Sequence, residues 1–183
     1  MNIRIHRILK GSRANGPGTR NVVWFQGCKL GCPACFNPLT HDPNSGKLIS
    51  THKICDELLD PAFPCEGITV SGGEPFQQPE GLLELLRELR EKSSLPVLVF
   101  SGYTRVQLQQ IINYAIFTQY IDALICGPYR QDVPPDYSRF SSSGNQELVL
   151  LSGRYKESDF TGLTLSELII EADGTASFSG IHF

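Results

Sequence analysis

The stretch Gly67-Ile68-Thr69-Val70-Ser71-Gly72-Gly73-Glu74-Pro75 decides the fold. Its first four residues predict a short buried strand, and Ser71 to Pro75 predicts a turn that stops it. Pro79 then suits the first turn of a helix, where its missing N–H costs nothing. Leu82, Leu85, Leu86 and Leu89 follow at i, i+3, i+4 and i+7, the apolar face of a helix that lies on a sheet. Strand, turn and helix in succession, when repeated, imply crossover connections and parallel strands.

The pattern does repeat. Leu95 to Phe100 reads as a strand, Ser101-Gly102-Tyr103 as a turn, and Thr104 with Gln107 as the capping box of another helix. Ile121 to Cys126 is a further strand that ends at Gly127-Pro128. Upstream, Asn21 to Phe25 is a β-branched and aromatic run, while Met1 to Ile8 interleaves polar and apolar residues as an edge or entry strand does. Gly11 to Gly18 reads as a loop, and Ser50 or Thr51 caps a helix to about Leu59, stopped by Pro61 and Pro64. Beyond residue 130 the character changes. Gln131 to Gly144 reads as a long loop, and Leu165 to Ala172 and Thr175 to Phe178 flank Asp173-Gly174, a hairpin signal. The expected class is α/β, with a mainly parallel sheet that ends in antiparallel additions.

A chain of 183 residues suits one domain, here about 1–150 as core and 151–183 as a C-terminal strand and hairpin extension. A net charge of -3 supplies no field that attracts polyphosphate, so neither a nucleic acid nor a membrane surface is an expected partner. The N-terminus lacks the unbroken apolar stretch of a signal peptide, and no window approaches the roughly 18 apolar residues of a membrane span. The expected location is the cytoplasm, where clustered cysteines are metal ligands or redox groups more often than disulfides.

Three of the six cysteines form C-x3-C-x2-C, in Cys28-Lys29-Leu30-Gly31-Cys32-Pro33-Ala34-Cys35, directly after a predicted strand. Gly27, Gly31 and Pro33 supply bends that let three thiolates converge. A cubane cluster has four irons, so three thiolates leave one iron open to a ligand. The plainer alternative is a zinc site with His41 as the fourth ligand. Gly72-Gly73-Glu74 stands at the C-terminal end of the next strand, the edge where parallel α/β folds bind ligands. There two glycines let backbone approach a bound molecule, and a fixed carboxylate suits an ammonium group. Cys55, Cys65 and Cys126 show no ligand spacing and read as buried packing groups. His6, His41, His52 and His182 are scattered and read as surface or packing residues.

C-x3-C-x2-C followed by Gly-Gly-Glu-Pro resembles the signature of the radical S-adenosylmethionine superfamily. Within it, Trp24-Phe25-Gln26-Gly27-Cys28, Cys35-Phe36-Asn37-Pro38, Ser71 to Gln77, Ser101-Gly102-Tyr103 and Ile121 to Tyr129 look like the activating enzymes of anaerobic ribonucleotide reductase. Ala34 stands where much of the superfamily has an aromatic residue, a substitution the activators share. The resemblance implies a partial (β/α) barrel whose open side admits a protein loop. Cys28, Cys32 and Cys35 would hold a [4Fe-4S] cluster whose open iron chelates S-adenosylmethionine. Gly72, Gly73 and Glu74 would receive the methionine end, with Glu74 accepting from the amine. Ala34 and Phe36, beside Cys35 and Asn37, would lie against the adenine, and Ser101 or Tyr103 would approach the ribose. Reduction by a flavodoxin or ferredoxin would release a 5'-deoxyadenosyl radical, which in the activases takes a hydrogen from a glycine of a large glycyl radical enzyme. The cofactor then carries the difficult step, and the absence of any Ser-His-Asp arrangement is no obstacle. A small-molecule substrate, as in the 7-deazaguanine pathway, or a peptide is the alternative within the superfamily. A non-catalytic zinc-binding interaction module is the alternative outside it.

Overall fold

In a computed structural model of the chain, residues 1–170 and 173–181 are described. The elements are β1 (Asn2–Ser12), β2 (Arg20–Phe25), β3 (Lys47–Ser50), α1 (Thr51–Leu58), β4 (Gly67–Gly72), α2 (Pro79–Lys92) and β5 (Val97–Ser101). They continue with α3 (Arg105–Ile111), α4 (Tyr114–Phe117), β6 (Ala123–Cys126), β7 (Glu147–Leu150), β8 (Ser166–Ile170) and β9 (Ala176–Gly180). The helix starts follow the sequence closely. Ser50 caps α1 by accepting from Lys53 N, Pro79 opens α2, and Thr104 and Gln107 form the reciprocal capping box of α3. No helix among the described residues is long and apolar enough to cross a membrane.

Seven strands form one sheet in the order β3-β1-β2-β4-β5-β6-β7. The central four, β2, β4, β5 and β6, are parallel, as the strand-turn-helix repeats predict. Antiparallel strands flank them on both sides, β1 and β3 before and β7 after, so the expectation of antiparallel additions at the C-terminal end alone is incomplete. β1 is an interior strand, not an edge, because β3 pairs with its outer side. Neither β3 nor β7 was legible: each has four residues, too few for a period to register, and each is placed by its neighbour. The hairpin predicted at Asp173-Gly174 exists as a separate two-stranded sheet, β8 with β9. The part of it expected at Ala172, like the position of His182, lies outside the described residues.

Alternation along each strand divides the sheet into two faces. One face turns Val23, Phe25, Val70, Val97, Val99 and Leu124 toward all four helices, where Ile54, Leu58, Leu82, Leu85, Leu86, Leu89, Leu108 and Phe117 complete a dry core. Cys55 and Cys126 are buried in it, and Cys65 packs against its rim. The other face turns Leu98, Ala123 and Ile125 toward Phe140, Tyr155, Phe160 and Ile181, which come from the segments after β6 and β7 and from the end of β9. The C-terminal hairpin is held there by polar ties to the loop after β1. Asn15 donates to Ser179 at 2.6 Å, and Glu167 accepts from Ser12 and, at 3.0 Å, from Arg13 N.

Arg20, at the start of β2, is fully buried on this second face. Its guanidinium donates to Thr69, Tyr155 and the carbonyls of Ile68, Pro96 and Pro17, and among the described residues no carboxylate pairs with it. Burial holds its pKa below the usual guanidinium value, opposed by the neighbouring Tyr155. Five donors in a fixed fork can be satisfied by oxygens alone, which is how a cation is tolerated here.

Candidate functional site

A pocket opens where β2, β4, β5 and β6 end, on the face opposite the helices. That is the edge at which a parallel sheet presents the loops that bind ligands. Trp24, Ser71, Gly72, Phe100 and Ser101 reach it from the strands themselves, and Cys28, Gly73, Gly102, Gly127 and Tyr129 from the turns that follow.

The cysteine loop is built from the end of β2. Gly27 N donates to Thr40 O and Cys28 N to His41 O, so the loop leaves and returns at one place. Gln26, buried just before it, donates to the carbonyls of Leu39 and Asp42 and fixes the returning strand of the loop. Between these anchors Gly31 and Ala34 take left-handed conformations, with φ of 63° and 53°. Ala34 does so without glycine's freedom. Cys28, Cys32 and Cys35 all face the pocket. Asn37 N donates to Cys35 Sγ at 3.4 Å, a backbone contact of the kind that stabilises a ligating thiolate. Burial pushes the Cys28 and Cys35 thiols up, and the hydrogen bonds they accept pull the other way. Among the described residues, no three His, Cys, Asp or Glu side chains converge as a single metal ion would require. His41 is absent from the pocket wall, and its Nε2 is buried without a hydrogen-bond partner among the described residues.

The Gly-Gly-Glu-Pro turn is explained largely by protein contacts. Gly72 has φ of 114°, and a Cβ on it would collide with the backbone of Phe25; a Cβ on Gly73 would collide with the carbonyl of Gly27. Both glycines therefore let the ends of β4 and β2 close on each other, while their backbone lines the pocket. Gly73 N donates to Phe25 O and Glu74 N to Gly27 O, both at 2.9 Å. Glu74 is fully buried below the pocket floor and does not line it. Its Oε1 accepts from Phe76 N and from Ser101 Oγ, each at 3.0 Å, and its Oε2 accepts from Gly102 N at 2.7 Å. Burial pushes this carboxyl up to about 7, against the pull of those three donors.

Of the residues read from the sequence, Cys28, Cys32, Cys35, Phe36, Asn37, Gly72, Gly73 and Ser101 come together around this pocket. Ala34, Glu74 and Tyr103 do not line it: Ala34 is exposed, Glu74 lies beneath, and the Tyr103 hydroxyl accepts from Gln77 Nε2. Sequence reading missed Asn15, Trp24, Phe100, Tyr129, Gln146, Gly180 and Ile181. Trp24 and Phe100 carried a signal, since period two places them on the face opposite Phe25 and Val99. Tyr129 packs on Phe36 with ring centroids 4.7 Å apart, joining the loop after β6 to the cysteine loop. Gly180 and Ile181 carried none, because only the docking of the hairpin brings them there.

Residues 14–149 match the family described as a 4Fe-4S single cluster domain, which takes in every element from β2 to the third residue of β7 and leaves out the hairpin. The chain is 36% identical over 115 residues to the pyruvate formate-lyase-activating enzyme of Clostridium pasteurianum, covering 61% of this chain and 48% of that protein. It is 30% identical over 154 residues to the anaerobic ribonucleoside-triphosphate reductase-activating protein of Salmonella typhi, covering 79% of this chain and 96% of that protein. To the protein of the same name from Escherichia coli K12 it is 30% identical over 147 residues, covering 77% and 94%. It thus spans about half the length of the first of these relatives and nearly all of the other two.

Proposed function

The chain belongs to the 4Fe-4S single cluster family, among the radical S-adenosylmethionine activating proteins, and from that premise we propose that it generates a glycyl radical on a large partner enzyme. The observation that carries this reading is one pocket wall bearing three thiols beside a floor of glycine backbone. Cys28, Cys32 and Cys35 hold the [4Fe-4S] cluster. When bound, that cluster supplies one-electron reduction of S-adenosylmethionine, which yields methionine and a 5'-deoxyadenosyl radical.

The chain's own residues bind, orient and exclude water. Gly72 and Gly73 offer backbone to the methionine end. Glu74 serves that end indirectly, since its oxygens are engaged by Phe76, Ser101 and Gly102 and hold the turn in place. Phe36, steadied by Tyr129, gives a flat apolar surface suited to adenine, with Ala34 and Asn37 in the same loop. Ser101 and the turn through Tyr103 take the ribose side. Trp24, Phe100 and Ile181 keep the inner wall apolar, which protects a reactive carbon radical from solvent. In this reading residues 1–183 form one domain, a partial barrel in the cytoplasm, reduced by a flavodoxin or ferredoxin. The barrel's open side is narrowed by the C-terminal segment, whose Ile181 reaches the pocket.

The test is made anaerobically on the reconstituted protein. Four irons per chain and formation of 5'-deoxyadenosine on reduction support the reading, as does a glycyl radical signal on a purified anaerobic ribonucleotide reductase mixed with it. A colourless protein that binds one zinc would overturn it.

A further inference from the structure

Three side chains of one short segment, Glu74, Gln77 and Gln78, each tie it to a different part of the molecule. Glu74 reaches the turn after β5, and Gln78 reaches Arg4 of β1 and the carbonyl of Gln26. Gln77 spans two loops at once. Its Oε1 accepts from Lys29 N at 3.0 Å, and its Nε2 donates to the Tyr103 hydroxyl at 3.1 Å. Lys29 sits between Cys28 and Cys32, so this amide joins the cysteine loop to the Ser101-Gly102-Tyr103 turn, which Leu30 of the same loop also approaches at Gly102.

The base from which Gln77 reaches out is rigid. Residues Pro75–Gln77 form a 3-10 turn in which Glu74 caps Phe76 N, Gln77 N donates to Glu74 O and Gln78 N donates to Pro75 O. Phe76 is buried against Phe117, with ring centroids 5.4 Å apart. A primary amide can accept from a backbone N–H with its oxygen while its nitrogen donates to a hydroxyl. Aspartate, leucine or lysine could not make both bonds from this position.

We propose that Gln77 is a positioning residue that sets the cysteine loop at a fixed separation from the turn after β5, and so fixes the span across which S-adenosylmethionine must reach. The proposal rests on the function given above, but its first readout does not. In the full chain without cofactor, the Lys29 amide is protected from hydrogen exchange, and Gln77→Leu raises its exchange at least tenfold while amides of β4 and α2 keep their rates. After reconstitution to equal iron content, Gln77→Leu binds S-adenosylmethionine roughly five- to tenfold more weakly, the scale of one lost hydrogen bond, with an unchanged melting temperature. Gln77→Glu restores both readouts, since one oxygen accepts from Lys29 N and the other from the Tyr103 hydroxyl. Tyr103→Phe weakens binding about twofold and adds nothing in the Gln77→Leu background.

Unchanged Lys29 exchange in Gln77→Leu overturns the bracket, as does a Gln77→Glu variant no better than Gln77→Leu. Equal affinity of wild type and Gln77→Leu at equal iron content overturns the positioning role. Failure of the wild-type protein to bind S-adenosylmethionine overturns the function instead, and leaves the exchange result to stand alone.

Discussion

The helix-bearing face of the sheet and the face that carries the pocket are made from alternate residues of the same strands, yet they are filled in opposite ways. Among the described residues, 21 buried side chains form one apolar cluster toward the helices, against 7 on the other side, so the first face supplies most of the hydrophobic stability. The second face turns inward a buried arginine, Thr69, Ser71 and Trp24, and leaves a cavity at its upper end. The difference teaches how a small α/β chain holds an incompletely packed site. One side is close-packed enough that the other can keep polar groups and a ligand pocket.

Substitutions that separate the two faces give the sharpest tests. Cys28→Ala has the largest expected effect on the pocket side: iron-sulfur absorption and 5'-deoxyadenosine formation are abolished, while the unfolding free energy without cofactor moves by less than about 1 kcal/mol. Denaturant titration beside an iron assay checks both halves. On the helix side, Leu85→Ala removes a fully buried side chain and is expected to cost about 3 kcal/mol, with activity per bound cluster unchanged. A Leu85→Ala protein of normal stability would break the comparison.

Glu74 lies where the two faces meet, and its raised pKa has a definite sign. Its ordinary value is 4.5 and its folded value about 7, so between these the native state holds a proton that the unfolded state has lost. The resulting stabilisation is full below about pH 4.5 and disappears as pH rises through 7. Wild type should therefore lose about 2 kcal/mol between pH 5 and pH 8 relative to Glu74→Gln, measured as the difference between the two unfolding curves. Arg20→Met is expected to have the smallest effect, within about 1–2 kcal/mol of wild type, because the lost bonds to Ile68, Pro96 and Tyr155 are offset by removing a buried charge. A loss as large as that of Leu85→Ala would show that the second face is no less structural than the first.

What the sequence revealed was what is local. The leucine spacing of α2, the capping box at Thr104 and Gln107, and the Asp173-Gly174 turn are set by residues within a few positions of one another. The cysteine triplet was legible for the same reason, since its spacing is covalent. β3 and β7 were not, because four residues, exposed or half-buried, carry no period and are strands only through their neighbours. The engagement of Glu74 was equally hidden. A carboxylate after two glycines suggests a ligand, and only the approach of Ser101 and Gly102 from the next strand shows its oxygens to be taken. The glycines read as room for a bound molecule; their backbone does line the pocket, and the close approach of Phe25 and Gly27, which the sequence did not show, requires them as well.

The hairpin that brings Ile181 to the pocket also has a consequence in time. Ile181 is translated roughly 150 residues after Cys28, which at about 5–20 residues per second separates them by about ten to thirty seconds. For the part of that interval after the three thiols have left the ribosome, the wall that later narrows their pocket has not been made. The nascent chain thus presents its cysteine loop more openly than the folded protein does, to a cluster carrier and equally to an oxidant, and the arrival of Ile181 narrows that access.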